Sequence, residues 1–158
     1  GPNSNKMAEG LMGTLRDDLK TALKGGHAYR SSTLRMAIAA ALNKAIQLLK
    51  KDIGLSDEEV AEVVRVEVKK RKDAAAEFAK GGREDLAEKE MKEAGILSVY
   101  LPPEMADEEV ERVIKEGIRE TGATTKADFG KVMKTVMPVL KGKASGDRIS
   151  EILGKLLR

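Results

Sequence analysis

The stretch that decides the fold runs from Gly122 to Gly146 and reads GATTKADFGKVMKTVMPVLKGKASG. Thr125 followed by Asp128 spells a capping box, with the hydroxyl accepting from the amide three residues on and the carboxylate reaching back to the cap amide. That predicts a helix beginning at Lys126. Phe129, Val132, Met133, Val136, Met137 and Leu140 then recur at spacings of three and four as one apolar stripe. Lys131 and Lys134 project from the opposite side. Pro138 and Gly142 are expected to close the helix.

Working outward, the same signals recur along the chain. Leu11, Leu15, Leu19, Ala22 and Leu23 predict a first helix stopped at Gly25-Gly26. A second starts near Ser32 or Thr33 and is lined on one side by Leu34, Ile38, Ala41, Leu42, Ala45, Ile46 and Leu49. Ser56 with Glu59 forms another capping box, opening a third helix that carries Val60, Val63, Val64, Val68, Ala75 and Phe78 to Gly81-Gly82. Leu86, Ala87, Met91, Ala94 and Leu97 give a fourth, weakened by Gly95, which costs about 1 kcal/mol relative to Ala.

Leu101-Pro102-Pro103 cannot continue a helix, so a domain boundary falls near Tyr100 to Glu104. Beyond it, Asp107-Glu108-Glu109 favours a helix start, followed by Val110, Val113, Ile114 and Ile118. Ser145 or Asp147 caps a terminal helix bearing Ile149, Ile152, Leu153 and Leu156. The expected fold is all-α: an N-terminal bundle of about four helices over 7–100, then a small three-helix domain over 101–158. Residues 1–6, GPNSNK, read as a vector-derived remnant.

Composition narrows the function classes. Charged residues make up 35% of the 158 and aromatics 3%, which suits helices with solvated outer faces. Cysteine is absent and His27 is the only histidine, so the commonest metal ligands and a thiol nucleophile are missing. The expectation is no metal, no cofactor, no membrane span and a cytoplasmic protein. Gly117 and Gly122 have the outer spacing of a phosphate loop, but Ala123-Thr124 stands where Lys and Ser/Thr should follow. Paired carboxylates fall at helix starts or on exposed faces, and Ser31-Ser32 reads as a helix cap, so no catalytic residue is identified.

The net charge of +3 is unevenly placed. Residues 122–158 hold eight Lys/Arg against three Asp/Glu, a local +5, leaving −2 for the remainder. Arg65, Lys69 and Lys72 of the third helix have Glu62 and Glu67 close by and read as structural. Lys131, Lys134, Lys141, Lys143, Arg148 and Lys155 meet few carboxylates, and the glycines flanking Lys143 would let backbone amides approach a phosphate.

Several stretches carry a resemblance: RSSTLRM over 30–36, KKRKD over 69–73, GGREDLAEKE over 81–90, ILSVYLP over 96–102, and the opening stretch. From about Met7 to Arg158 the chain resembles the YqeY-like family, small helical proteins related to the tail of the B subunit of the tRNA-dependent amidotransferase (GatB). The chain departs from that pattern at Glu104-Met105, where many relatives have Gln-Leu, and at Ala94-Gly95 in the fourth helix.

The resemblance implies an N-terminal bundle and a GatB-tail-like domain that holds tRNA. On that basis the expected function is a non-catalytic tRNA-binding accessory module, contacting the tRNA backbone through Lys126, Lys131, Lys134, Lys141, Lys143 and Arg148. The competing reading is an adaptor for an amidotransferase or aminoacyl-tRNA synthetase, docking through Tyr100, Leu101 and Met105. A third reading, part of a glutamine-dependent carbon-nitrogen ligase activity, rests on family naming alone.

Overall fold

A computed structural model describes residues 2–157, with side chains from Gly10 onward. Of the stretch read as a vector remnant, residue 1 falls outside the described residues and residues 2–6 are described by their backbone alone. The described chain is all-helical, without a strand. By contact it divides into two compact units, Gly1–Leu101 and Pro102–Arg158.

The first unit holds α1 (Pro2–Lys24), α2 (Ala28–Gln47), α3 (Asp57–Lys80) and α4 (Glu84–Ser98). Their apolar faces close on Leu15, Leu34, Ile38, Val60, Val64 and Leu97. Helix α1 is interrupted at Gly10, whose φ of 65° leaves the helical region. There the Asp57 carboxylate, at the start of α3, accepts from the Leu11 amide at 2.9 Å and so caps the continuing helix. The backbone at residue 10, φ 65° and ψ −142°, is one that glycine adopts readily and other residues rarely do, and a Cβ there would also lie 2.1 Å from that carboxylate.

Helix α2 departs from expectation at both ends. It begins at Ala28, because Ser31 and Thr33 do not cap; their hydroxyls donate back to the His27 and Tyr29 carbonyls at 2.8 and 3.0 Å. At its C-terminal end Leu49 turns left-handed, with φ 57°. The Lys50 amide then reaches back to the Ala45 carbonyl at 2.7 Å, the closing bond of a Schellman turn. Leu49 therefore leaves the helical stripe and is 92% exposed, and Leu42 and Ile46 are also exposed. Only Leu34, Ile38, Ala41 and Ala45 of the expected stripe are buried.

Helix α3 opens on the Ser56–Glu59 capping box as its sequence predicts. Helix α4 packs along it, with Ala94 and Leu97 buried and Gly95 facing open space. Tyr100 packs against this unit's core and donates to Asp18 Oδ2 at 2.5 Å.

The second unit holds α5 (Asp107–Thr121), a 3-10 turn over Lys126–Asp128, α6 (Phe129–Leu140) and α7 (Gly146–Leu156). Val110, Ile114, Val132, Val136, Ile149 and Leu153 form its core. The Thr125–Asp128 box is present, but it caps the 3-10 turn. The Thr125 hydroxyl accepts from Ala127, two residues on, and the α-helix begins at Phe129. Pro138 does not close α6. It sits within the last turn, where only one backbone donor is lost, and the helix ends after Leu140 with Gly142 left-handed at φ 79°. Ser145 caps α7 by accepting from the Arg148 amide at 3.2 Å.

Gly117, whose spacing from Gly122 mimicked a phosphate loop, has a packing role. A Cβ there would lie 2.5 Å from Val136 Cγ1, so the glycine permits the close crossing of α5 and α6.

Candidate functional site

The second unit exposes its lysines because its apolar stripe is satisfied on one side only. Val132, Val136 and Leu140 of α6 are buried, and Lys131 and Lys134 lie exposed on the other side. Lys126 in the 3-10 turn and Lys141 and Lys143 in the loop after α6 are exposed as well. The loop is held in place: the Lys143 carbonyl accepts from the Met105 amide at 2.7 Å.

Among the described residues, the ion pairs of this unit join Arg112 to Glu109, Lys115 to Glu111, Arg119 to Glu116 and Lys155 to Glu151. Arg148 completes the set, and none of the pairs takes up Lys126, Lys131, Lys134, Lys141 or Lys143. Asp128 is held below the usual carboxylate range by the Thr124 amide first and the Thr125 amide second, with the Lys131 charge adding to both.

Two expectations change here. Arg148 faces inward on its own unit: it donates to Asp107 Oδ1 at 2.5 Å, to Glu104 Oε2 at 3.3 Å and to the Met105 carbonyl. A guanidinium with two carboxylates and a carbonyl has little charge left to offer a phosphate. The amide cradle around Lys143 does not form either, because the Lys143 and Ala144 amides both donate to the Leu140 carbonyl, at 2.9 and 3.2 Å. The candidate interface is thus one of ammonium groups alone.

Tyr100, Leu101 and Met105 do not make a free apolar patch. The first two pack against the core of the first unit and Met105 against that of the second.

The first unit contains a charged cluster that periodicity could not reveal. Arg71 is on the buried side of α3, its side chain only 6% exposed. Its Nη1 donates to the Glu67 carbonyl and to Glu67 Oε1, each at 3.0 Å. Glu93 of α4 is also buried, with Oε1 3.6 Å from Arg71 Nε. The group sits at the base of a cleft of about 400 Å³ between α2, α3 and α4. Tyr29 stands at its side, donating to the Lys89 carbonyl at 2.9 Å, with the Lys92 ammonium 4.5 Å from its ring centre. The signal available in the sequence was that Arg71 falls four residues after Glu67 and three after Val68, inside the apolar stripe.

Among the described residues no group of three or more His, Asp or Glu is placed to hold a metal, and no helix is long and apolar enough to cross a membrane.

Comparison with known proteins bears on both units. A protein from Kluyveromyces lactis, "Altered inheritance of mitochondria protein 41, mitochondrial", is 35% identical over 86% of this chain and 77% of its own length. Proteins of the same name from Clavispora lusitaniae and Meyerozyma guilliermondii are each 33% identical, over 72% and 62% of this chain. The matches span 65% and 50% of those two proteins' lengths. These names correct the expectation of a cytoplasmic protein. That expectation rested on missing cysteines and missing apolar spans, which any reducing compartment permits. Residues 12–157, covering all the described elements except the start of α1, match the family described as Yqey-like protein, and the chain belongs to that family.

Proposed function

We propose that the second unit binds RNA, tRNA in particular, through the backbone contacts of Lys126, Lys131, Lys134, Lys141 and Lys143, and that it carries no reaction of its own. The observation that supports this most is the set of five exposed lysines without ion pairs among the described residues, on a unit whose other two α-helices, α5 and α7, pair their described cations with carboxylates. Uncompensated positive charge on one surface raises the local concentration of a polyanion and speeds its association. With 3% aromatics, base stacking contributes little and shape and phosphate position dominate. The names of the relatives suggest a mitochondrial setting for the partner.

Binding of tRNA to the full chain at a series of salt concentrations tests this. Five neutralised phosphates give a slope of log affinity against log salt of about −4. Changing Lys131, Lys134 and Lys143 to Glu should lower the slope to about −2 and weaken every tRNA alike, because backbone contacts do not read sequence. Binding that ignores salt, or an unchanged slope in the triple variant, overturns the proposal.

A protein-interaction adaptor for an amidotransferase or aminoacyl-tRNA synthetase is the second reading. It loses its hinge patch, and the observation in its favour is the exposed row Leu42, Ile46, Leu49 and Ile53. A complex that survives nuclease treatment and fails in Ile46→Glu favours the adaptor.

A further inference from the structure

The cleft between α2, α3 and α4 has a feature that internal structure alone does not account for. Arg71 Nε is buried without a hydrogen-bond acceptor. Its neighbour on the same edge of the guanidinium, Nη2, has only Met36 Sδ at 3.8 Å. The Glu93 oxygen 3.6 Å from Nε is beyond hydrogen-bond reach. One edge of a nearly fully buried guanidinium therefore lacks a hydrogen-bond acceptor: Nε has no exposed surface and only the Glu93 carboxylate at ion-pair distance, while Nη2 has only the Met36 sulfur. A buried donor in this state costs free energy unless something arrives to accept from it.

The opposite polarity is also present and uncommitted. Glu90 lines the cleft, half-buried, and takes part in none of the ion pairs among the described residues. Burial first, and the charges of Glu93 and Glu90 after it, push the Tyr29 hydroxyl above the ordinary tyrosine value. Ser32, exposed at the rim, has a hydroxyl with no partner among the described residues. The remaining charges answer one another: Lys70 pairs with Glu67 at 3.3 Å and Lys89 with Glu93 at 3.9 Å.

Taken together, Lys70, Arg71 and Lys89 balance Glu67, Glu90 and Glu93, so the lining has no net charge. Such a cleft gives a simple anion or cation no long-range attraction. It rewards a ligand that carries both signs at a spacing matching the Arg71 Nη2 donor and the free carboxylate. A volume of about 400 Å³ holds a small molecule with room for a side chain.

We propose that this cleft binds a free α-amino acid, its carboxylate received by the Arg71 guanidinium at Nη2 and its ammonium by Glu90, with the Ser32 hydroxyl at the rim. The site is separate from the lysine surface of the second unit and does not depend on the RNA-binding reading.

The test uses the full chain labelled with nitrogen-15 and titrated with each common amino acid to about 10 mM, enough to see millimolar affinity. At least one should shift the amides of Ser32, Lys70 and Glu90 saturably. Its N-acetyl and carboxamide derivatives, each lacking one of the two charges, should bind about tenfold or more weakly, the worth of a charge-assisted hydrogen bond. Glu90→Gln, at a half-buried position whose loss does not endanger folding, should weaken binding by a similar factor. Arg71→Lys should abolish it while keeping the charge.

No saturable shift with any amino acid overturns the proposal, as does equal binding of the N-acetyl derivative. Inorganic phosphate shifting the same amides as strongly overturns it too, since that would make the site one for anions. An unchanged affinity in Glu90→Gln removes the role assigned to that carboxylate and with it the zwitterion.

Discussion

In α3, Arg65, Lys69, Lys70, Arg71 and Lys80 each have a carboxylate within ion-pair distance. In α6 and the loop after it, Lys131, Lys134, Lys141 and Lys143 have none among the described residues. The cause is visible in spacing. Glu62, Glu67, Asp73 and Glu77 stand three or four positions from their cations, whereas no Asp or Glu occurs between Phe129 and Gly146. Exposed pairs contribute little to stability, so their main effect in α3 is to cancel its field. Similar numbers of basic residues thus produce a quiet surface along α3 and an attractive one along α6 and the loop after it. Arg71 alone breaks the pattern, since its pairing happens inside the protein.

The sharpest way to break this comparison is to remove charge from each side and measure unfolding in urea. Arg71→Ala removes the buried cation shared by Glu67 and Glu93, leaving them only the exposed Lys70 and Lys89, and should cost about 3–5 kcal/mol. Lys134→Ala, on an exposed helix face, should change stability by less than about 0.5 kcal/mol. Equal effects would mean that the two basic helices do the same work.

Glycine substitutions sharpen the contrast by showing that the second unit depends on apolar fit. Gly117→Ala places a methyl against Val136, a stiff and fully buried side chain, and should destabilise by about 1–2 kcal/mol after the helix-propensity gain is subtracted. Gly130→Ala in α6 and Gly95→Ala in α4 meet open space at helical dihedrals and should each stabilise by about 0.5–1 kcal/mol.

The capping boxes are the next level down. Thr125→Ala and Ser56→Ala should each cost about 1 kcal/mol. Glu59 is held below its ordinary value by the Lys50 ammonium first and the Ser56 amide second, at the head of the first unit's α3. Asp128 is held low in the second unit by amides. A depressed carboxylate contributes stability that is complete above its unfolded value and is lost as pH falls through the folded one, so both boxes weaken in acid. Lys50→Met should reduce the acid response of the first unit only, read as a smaller loss of its melting temperature between neutral pH and pH 4.

Much of this was legible in the residues. The caps at Ser56, Thr125 and Ser145, the turns at Gly26, Gly82 and Gly142, and the break at Leu101-Pro102 are local signals, and helix ends obey local chemistry. What failed did so where tertiary contact decides. Ser31 and Thr33 look like caps in one dimension and are back-bonded inside a helix in three. Leu42 and Ile46 each stand one position beyond the buried Ala41 and Ala45, off the covered face of α2, and Leu49 lies past the helix end in a left-handed turn. Gly117 needs a neighbour across the helix crossing to be understood. Arg148 counts as a tail cation in composition and is consumed by carboxylates 41 and 44 residues away. The cleft at Arg71 was beyond reach for the same reason: its floor comes from α3, its wall from α4 and its rim from α2.

The smallest effect, and the one confined most cleanly to a single unit, lies at alkaline pH. The chain has two tyrosines, Tyr29 and Tyr100, both in the first unit. Burial first, and the Asp18 hydrogen bond and charge after it, push the Tyr100 hydroxyl well above its ordinary value; Tyr29 is raised as well. A tyrosine raised on folding keeps its proton where the unfolded chain has released one. Its contribution is therefore whole below the unfolded value of about 10 and declines as pH rises from there toward the folded value. Absorbance at 295 nm should show both groups ionising late, with Tyr100 following Tyr29 and rising together with loss of helical signal from the first unit. Tyr100→Phe should leave one transition and make the first unit less sensitive to alkali, and Asp18→Asn should bring the Tyr100 transition toward lower pH. A single transition near the ordinary value would show that Tyr100 is not held by Asp18. The inward-directed polarity of the first unit would then shrink to the Arg71 cluster.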